Sequence, residues 1–280
     1  MIRSSILYFR FLGSFPFAPF NEPKTAGTME TALSRAPRFQ SIGVSPPCGH
    51  PLVSIIIPTL NEIQNAKKQA TILDRLPEVE IIFADGGSTD GTLDEIECFA
   101  RERYNVRLIH SPRCRAKQMN AGARCAKGDW LIFLHADTEL PAESFYAFMQ
   151  AVEKRARLNS GAFTFRVANK RLVYRYLEFY VGLRCKWLKL PYGDQAIFVK
   201  RSFFEAAGGY REDFPLMEDM ELMERLNKQE GFAVLEYPVF TSARRFETDG
   251  YLRRTCGNLY LQILYKLGVH PKELAKKYWK

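Results

Sequence analysis

The sequence lacks a run of apolar residues long enough to cross a membrane. Arg10, Pro16 and Pro19 interrupt the apolar N-terminus, and Arg175 and Glu178 interrupt a later aromatic segment, whereas a spanning helix needs about 20 consecutive apolar residues. A transmembrane protein is therefore not expected. The composition, 46% hydrophobic and 25% charged over 280 residues, is typical of a globular protein with one substantial core.

The sequence also lacks clustered cysteine. Its cysteines form neither a C-x-x-C pair nor a zinc-type Cys/His group, and they stand at Cys48, Cys98, Cys114, Cys125, Cys185 and Cys256. We therefore expect free thiols in a reducing compartment. Two phosphate-binding patterns, G-x-G-x-x-G and the Walker A loop, are absent as well, which argues against nicotinamide cofactors and P-loop chemistry.

The central part of the chain lacks an excess of positive charge. Of the net charge of +9, residues 1–50 carry +3 and residues 244–280 carry +6, so residues 51–243 are neutral. A nucleic-acid-binding protein usually carries a basic stripe on its folded domain, so nucleic acid is not an expected partner. The basic C-terminal segment suits a phosphate group or an anionic membrane surface.

Two regions are expected along the chain. Residues 1–50 show no periodic apolar pattern and no acidic residue before Glu22, so we predict a separable extension. A transit peptide and a disordered extension both explain this composition, and Met29 is an alternative start in the second case. Residues 51–280 contain no linker or repeat, and we predict that they form one domain that includes the basic C-terminal helical segment.

The chain alternates between short β-branched runs and helical patterns. Buried strands are predicted at 52–57, 80–84, Val106–His110 and 130–134, with helices between them. Strands that alternate with helices in this way indicate βαβ units and a parallel sheet covered on both faces. The alternating pattern of Ser160–Val167 predicts an edge or antiparallel strand. The expected fold class is therefore α/β.

Polar residues follow three of these strands, at the sheet edge where doubly wound proteins bind ligands. The segment 58–62 either caps the next helix or receives a nucleotide base. Asp85 and the glycines after it suit ribose hydroxyls or a pyrophosphate, although a surface turn has the same composition. His135 and Asp137 stand one residue apart in an extended segment, so they point the same way and suit one shared cation.

Five segments stand out in order along the chain: SIIIPTLNE at 54–62, DGGSTDG at 85–91, Asn120-Ala121-Gly122, Gly128-Asp129 before FLHAD at 133–137, and Glu218-Asp219. Together they resemble the family 2 glycosyltransferases of the GT-A fold. Three further segments, at 192–195, 216–222 and 242–245, look like the bacterial-type branch of that family, which has short soluble catalytic domains and no membrane helices.

The resemblance implies an αβα sandwich with a mostly parallel, twisted sheet. It implies an inverting transferase that moves a hexosyl group from a nucleotide-diphosphate sugar, with a UDP-sugar as the expected donor, to an acceptor hydroxyl or carboxyl. Family members often glycosylate lipids, polyprenols or carotenoid-type acids, so the implied partners include a lipophilic acceptor and a membrane surface. The expected location is the cytoplasm or the inner face of the membrane, or an organelle if residues 1–50 are a transit peptide.

The resemblance also assigns roles to single residues. Asp219 matches the acid that serves as catalytic base, with Glu218 beside it. Asp137 matches the last acid of the D-x-D motif, which binds Mg²⁺ or Mn²⁺ on the diphosphate, and His135 stands where the first acid would be. Gly86 replaces a second Asp that many members have. The residues expected to bind the nucleotide sugar are Pro58, Thr59, Asn61, Glu62, Asp85, Asn120, Arg244 and Arg245.

Each assignment has an alternative. Glu218 and Asp219 fit the first turn of a helix, where acids offset the helix dipole, and Arg244 and Arg245 fit a solvated charge pair. The aromatic segment 173–180 has apolar residues at helical spacing, which predicts core packing; an interfacial helix or a lipophilic acceptor groove would use the same residues. The rival functions are a nucleotidyltransferase, which should carry a Gly-rich loop after the first strand, and a catalytically inactive sugar-nucleotide-binding protein.

Overall fold

The computed structural model describes residues 52–73 and 75–278, and the predicted extension over residues 1–50 lies outside them. The described strands are β1 (Val53–Thr59), β2 (Val79–Asp85), β3 (Val106–His110), β4 (Trp130–Phe133), β5 (Thr138–Glu139), β6 (Ser160–Val167), β7 (Ile197–Lys200) and β8 (Phe232–Thr241). The helices are α1 (Ile63–Leu73), α2 (Thr92–Glu102), α3 (Arg115–Cys125), α4 (Ala142–Lys154), α5 (Leu172–Leu188), α6 (Arg201–Ala206), α7 (Glu218–Leu226), α8 (Arg244–Asp249), α9 (Tyr251–Lys266) and α10 (Pro271–Tyr278).

Within the described residues the strands form one eight-stranded sheet in the order β3-β2-β1-β4-β7-β6-β8-β5. β1 pairs in parallel with β2 and with β4, and β2 pairs in parallel with β3. β7 runs antiparallel between β4 and β6, whereas β6 pairs in parallel with β8. The expected α/β fold with a mostly parallel sheet is confirmed.

Strand β6 departs in one respect from its predicted role. It is antiparallel to β7, as one alternative had it, but it is not an edge strand, because β8 pairs with it from Ser160 to Val167. The two backbones approach closely at Gly161, where a Cβ would lie 1.9 Å from the carbonyl oxygen of Ala233. The alternation that suggests an edge strand arises from Thr164 and Arg166, which are half-buried and alternate with buried residues.

The buried strands place apolar side chains on both faces of the sheet. In β1, Val53, Ile55 and Ile57 pack with α1, α2 and α4, while Ile56 packs with α3 and α7. This alternation follows from the two-residue period of a strand. The result is a three-layer arrangement in which β1, β2 and β4 direct their carboxyl ends to the same edge.

Helix α5 buries only part of the aromatic segment 173–180: Tyr174 is 2% exposed and packs with Phe246 and Tyr251, as core packing predicts. Glu178 and Arg184 are among its buried residues, whereas Tyr176, Phe179 and Trp187 are 69%, 65% and 67% exposed. The expectation of core packing is therefore wrong for the outward aromatics of this helix. Over residues 52–73 and 75–278, no helix is long and apolar enough to cross a bilayer.

Candidate active site

A cleft of about 850 Å³ lies at the carboxyl ends of β1 and β4. It is bounded by these strand ends, the first turns of α3 and α7, the turn before β7 and the C-terminal helices. Residues that line it include Pro58, Thr59, Glu62, Arg115, Gln118, His135, Asp137, Asp194, Glu218, Asp219 and Arg245. The acids expected for the base and for the metal thus share one cleft, whereas Asn61, Asp85, Asn120 and Arg244 do not line it.

Asp85 and Asn61 organise the loop after β2. Asp85 is fully buried, and its Oδ1 accepts hydrogen bonds from the backbone N–H groups of Gly87 at 2.7 Å and Ser88 at 2.8 Å. Asn61 is in the left-handed region with φ of 54°, and its Oδ1 accepts from the backbone N–H of Thr89 at 2.8 Å. These bonds hold the loop in shape, and the contact of the two side chains with a nucleotide stays a prediction.

Asn120 is likewise occupied within the protein. Its Nδ2 donates to the carbonyl oxygen of Tyr210 at 2.8 Å and to Glu212 at 3.1 Å, and its Oδ1 accepts from the N–H of Tyr210 at 2.9 Å. These bonds use both protons and the oxygen of the amide. Asn120 therefore holds the segment after α6, and its contact with a nucleotide stays a prediction.

Gln118 is a cleft residue that the sequence analysis missed. Its Nε2 donates to the carbonyl oxygens of Thr59 and Ala84, both at 2.8 Å, and so joins the ends of β1 and β2. A Cβ at Gly86 would lie 3.1 Å from this Nε2, so a side chain at Gly86 would press against Gln118. A single glutamine within a helix carries no motif that could have identified it.

Two consecutive arginines of α8 bind acids at the ends of different strands. Arg244 donates to both carboxylate oxygens of Glu62 at 3.0 Å. Arg245 Nε lies 3.7 Å from Asp137 Oδ2. α8 is thereby connected to the strand ends. In both pairs, an arginine expected to bind the donor sugar nucleotide offsets the charge of an acid expected to bind the donor or its metal ion.

Asp219 lies at the first turn of α7, where the backbone holds its carboxylate. Its Oδ2 accepts from the N–H of Gly193 at 2.8 Å, and its Oδ1 accepts from the N–H of Met220 at 2.8 Å. Met217, just before the helix, has φ of 63°, a left-handed conformation that is unfavourable for a residue with a Cβ. This strained turn aims Asp219 into the cleft, and each carboxylate oxygen keeps further capacity to accept.

Glu218 is the more buried acid of the pair, with 1% of its surface exposed. Arg115 Nη1 of α3 lies 3.0 Å from its Oε1. Burial raises the pKa of Glu218 above its ordinary value, and the charge of Arg115 opposes that shift. The Glu218 carboxylate is thus paired with Arg115, whereas backbone N–H groups hold the Asp219 carboxylate.

His135 is uncharged at neutral pH, because burial and the neighbouring charge of Arg115 lower its pKa to about 4. Its imidazole lies against the backbone of Gly193: a Cβ there would come within 2.5 Å of His135 Nε2 and 3.3 Å of Asp219 Oδ2. A glycine at this position is what allows His135 and Asp219 to approach each other.

Asp194 is an acid to which the sequence analysis assigned no role. It lines the cleft, and its Oδ1 is buried without a hydrogen-bond partner among the described residues. Burial raises the pKa of Asp194 to about 6; Arg184 opposes the shift, and the charges of Asp219 and Asp137 add to it. Its position in the segment 192–195 was the available signal, but the segment served only to mark a branch of the family.

The donor set suits a hard divalent cation in part. Within the described part of the chain, no three His, Cys, Asp or Glu side chains are grouped closely enough to hold a metal ion by themselves. Mg²⁺ is usually held by one or two carboxylates together with substrate phosphates, so a small protein donor set is sufficient. Asp137, with the uncharged His135 or the unsatisfied oxygen of Asp194 as a second donor, fits that requirement.

Curated relatives of this chain are glycosyltransferases. It is 30% identical over 178 residues to the PGL/p-HBAD biosynthesis glycosyltransferase of Mycobacterium bovis, and the aligned region covers 61% of this chain and 68% of that protein. It is 30% identical over 111 residues to the dolichol-phosphate mannosyltransferase of Saccharomyces cerevisiae, which covers 37% of this chain and 42% of that protein.

Solved structures share the fold. S. aureus TarS 1–349 in complex with UDP-GlcNAc superimposes with a TM-score of 0.55 at 16% identity, covering 68% of this chain and 58% of that chain. The mannosyltransferase PcManGT of Pyrobaculum calidifontis, in complex with GDP-Man and Mn²⁺, gives a TM-score of 0.52 at 21% identity, covering 70% of this chain and 57% of that chain. The chain therefore spans less than two thirds of these proteins.

The family model described as glycosyl transferase family 2 matches residues 54–211. This match contains both strand-end loops, the segment with His135 and Asp137, and the turn with Asp194, and it covers more than half of the chain. Together with the GT-A fold and the glycosyltransferase relatives, it shows that the chain belongs to glycosyl transferase family 2.

Proposed function

We propose that the chain is an inverting glycosyltransferase that moves a hexosyl group from a nucleotide-diphosphate sugar, in the first instance a UDP-sugar, to an acceptor hydroxyl or carboxyl. The observation that carries the proposal is the single cleft at the strand ends in which Asp137, Asp219 and an uncharged His135 meet. A doubly wound sheet binds its ligand at this edge.

The nucleotide sugar binds along the ends of β1 and β4. Pro58, Thr59 and Glu62 line the cleft and contact the nucleotide, while Asp85, Asn61 and Asn120 shape the surrounding loops. Arg244 and Arg245 close over the diphosphate and exchange their present carboxylate partners for its oxygens. TarS and PcManGT, whose complexes contain UDP-GlcNAc and GDP-Man, support a nucleotide-sugar donor.

Asp137 and His135 hold Mg²⁺ or Mn²⁺ in this proposal, as the donor chemistry of the cleft allows. When bound, such a cation neutralises the charge that develops on the leaving diphosphate. Arg245, 3.7 Å from Asp137, contributes positive charge to the same place.

Asp219 acts as the general base. A hydroxyl acceptor must lose its proton as it attacks the anomeric carbon and displaces the nucleoside diphosphate, and a positioned base contributes about 10²- to 10⁴-fold to such a step. The backbone N–H groups of Gly193 and Met220 fix the carboxylate without protonating it. A single displacement assisted by one base inverts the anomeric configuration. The dolichol-phosphate mannosyltransferase among the relatives supports a lipophilic acceptor.

The test is thermal unfolding with UDP-, GDP- and dTDP-sugars, each with Mg²⁺, with Mn²⁺ and with a chelator. A ligand that binds only the folded state raises the melting temperature by mass action, and we expect a UDP-sugar to do so only when metal is present. Asp137→Ala should abolish this increase, whereas Asp129→Ala, at an exposed acid before β4, should preserve it. Equal stabilisation with the chelator removes the metal from the proposal, and no stabilisation by any nucleotide sugar overturns it.

A further inference from the structure

Two charged residues of helix α5, Glu178 and Arg184, are buried on the face that packs against the domain. Glu178 is 3% exposed; its carboxylate lies 2.9 Å from Arg166 Nη1 and 2.7 Å from Arg175 Nη2, and it accepts the N–H of Val167 at 2.9 Å. Arg184 is 8% exposed and donates to the carbonyl oxygen of Leu190 at 2.9 Å. A surface helix normally turns its apolar stripe inward and its charged face outward. The inner face of α5 also holds Tyr174, Val181 and Cys185 in a small apolar cluster, so α5 has apolar residues on both faces and buries part of its charge.

The outer face of α5 is a continuous apolar stripe. With 3.6 residues per turn, the members of this stripe fall on one side of the helix: Leu172, Tyr176, Phe179, Leu183 and Trp187, which are 77%, 69%, 65%, 41% and 67% exposed. Apolar residues scattered singly over a surface are ordinary, whereas a contiguous patch marks an interaction site. The stripe is therefore an interaction surface.

The exposed polar residues beside the stripe are all basic. Lys170 and Arg171 precede the helix, Lys186 lies in its last turn and Lys189 follows it, and each is exposed. The one acid of α5, Glu178, is buried. Apolar and aromatic side chains flanked by basic residues are typical of a helix that lies in the headgroup region of a bilayer, and anionic lipids attract basic clusters of this kind.

We propose that the outer face of α5 docks on the surface of an anionic lipid bilayer. The apolar stripe enters the boundary between headgroups and acyl chains, and the lysines and Arg171 contact the headgroup phosphates. Docking does not depend on the proposed sugar transfer. It does bear on the proposed lipophilic acceptor, because a docked chain holds its cleft close to the membrane in which such an acceptor lies. Arg184 of α5 donates to Gln195 at 3.1 Å, and Gln195 adjoins Asp194, which lines the cleft. A hydrogen bond therefore connects the docked helix to the turn of the candidate active site.

The test is co-sedimentation of the full chain with vesicles of phosphatidylcholine, with and without phosphatidylserine. Wild type should bind the vesicles that contain phosphatidylserine and bind pure phosphatidylcholine weakly. Tyr176→Ser/Phe179→Ser should weaken binding by about tenfold or more, because it removes apolar area from the stripe. The matched control is Tyr104→Ser/Tyr237→Ser, which removes two exposed aromatics outside α5 and should bind as wild type does.

A second pair of variants tests the charges. Lys170→Glu/Lys186→Glu reverses two lysines at the ends of the stripe and should weaken binding by about tenfold or more. Lys127→Glu/Lys228→Glu reverses two exposed lysines elsewhere, so net charge falls equally, and binding should be retained. Melting temperatures with and without a UDP-sugar should match those of wild type in all four variants, which separates docking from donor binding.

Three results overturn the proposal. One is a wild-type chain that does not co-sediment with vesicles containing phosphatidylserine. Another is α5 variants that bind as tightly as their controls, which would place binding on another surface, such as the basic C-terminal segment. The third is a mass in sedimentation equilibrium that rises with protein concentration and is abolished by Tyr176→Ser/Phe179→Ser, with unchanged vesicle binding; it would assign the stripe to a second copy of the chain.

Discussion

At the scale of the residue, Asp219 and Glu221 are both acids of the first turn of α7, but their surroundings differ. Asp219 lines the cleft, whereas Glu221 pairs with Arg225 at 2.7 Å. Asp219→Asn should leave donor binding nearly unchanged and lower transfer by about 10²-fold or more, because the amide cannot accept the proton. Transfer to an acceptor, or slow hydrolysis of the donor, measures the effect.

Glu221→Gln is the matched control for the helix dipole. Glu221→Gln removes a dipole partner and weakens the pair with Arg225, so the free energy of unfolding should fall by about 1 kcal/mol while turnover stays normal. Near wild-type turnover in Asp219→Asn would contradict the assignment of the base.

Asp194 should make stability depend on pH in metal-free buffer. Its pKa is raised to about 6 in the folded protein, mainly by burial, against an ordinary value of 3.8. Between these values the folded state keeps a proton that the unfolded state has lost, so the free energy of unfolding falls as pH rises. Asp194→Asn escapes this loss, so its melting temperature relative to wild type should increase from about pH 4 to about pH 7. Parallel pH profiles would show that Asp194 ionises normally.

The sequence predicts the chemical types at the site better than their tasks. Asp137 and Asp219 lie in the cleft because Asp137 stands between β4 and β5 and Asp219 in the first turn of α7, and both places meet the same edge of the sheet. Asp85 bonds the N–H groups of Gly87 and Ser88, its near neighbours in the chain, a local pattern that Asp followed by Gly favours. Asn120 bonds Tyr210, which only the fold brings near, and such a long-range partner leaves no trace in a motif.

At the scale of the element, the turn Gly193–Gln195 should tolerate no side chain at its first position. Gly193→Ala places a methyl group within 2.5 Å of His135 Nε2 and 3.3 Å of Asp219 Oδ2. Displacements of this size at a reacting centre can cost about 10²-fold in rate, so transfer should fall strongly. Measured kcat and melting temperature together separate this effect from unfolding.

Gly182→Ala in α5 is the control for that substitution, because no atom lies within 4 Å of the added carbon. Alanine in a helix interior is favoured over glycine by about 0.5–1 kcal/mol, so this variant should be active and slightly more stable. An active Gly193→Ala would show that His135 and Asp219 need not stay close.

Local pattern predicts most elements of this fold but not the direction of α5. The buried runs of β1, β2 and β4 are recognisable because both faces of each strand are covered. In α5 the helical period is also evident, yet a period alone does not say which face turns inward. The inward face contains the ion pairs of Glu178 with Arg166 and Arg175 and also the apolar cluster of Tyr174, Val181 and Cys185, and the partners of both belong to other elements as well as to α5.

At the scale of the whole molecule, residues 51–280 should act as a separate catalytic domain, as the composition predicts. β1 begins at Val53, so deletion of residues 1–50 removes none of the described strands or helices. The shortened chain should keep its melting temperature and its stabilisation by a UDP-sugar with metal. Insolubility, or loss of nucleotide binding, would show that residues 1–50 belong to the fold.

The packing of Met217 limits where a chimera between this chain and a relative can be joined. The side chain of Met217 packs with Met220, Leu261 and Leu274, so α9 and α10 clamp the strained turn that precedes the base. A chimera joined at residue 211, where the family match ends, inherits the turn and its clamp from one parent. A junction after β8 takes the turn from one parent and the helices α9 and α10 from the other. Such a chimera should form the complete sheet, but the side chain of Asp219 should be less well positioned.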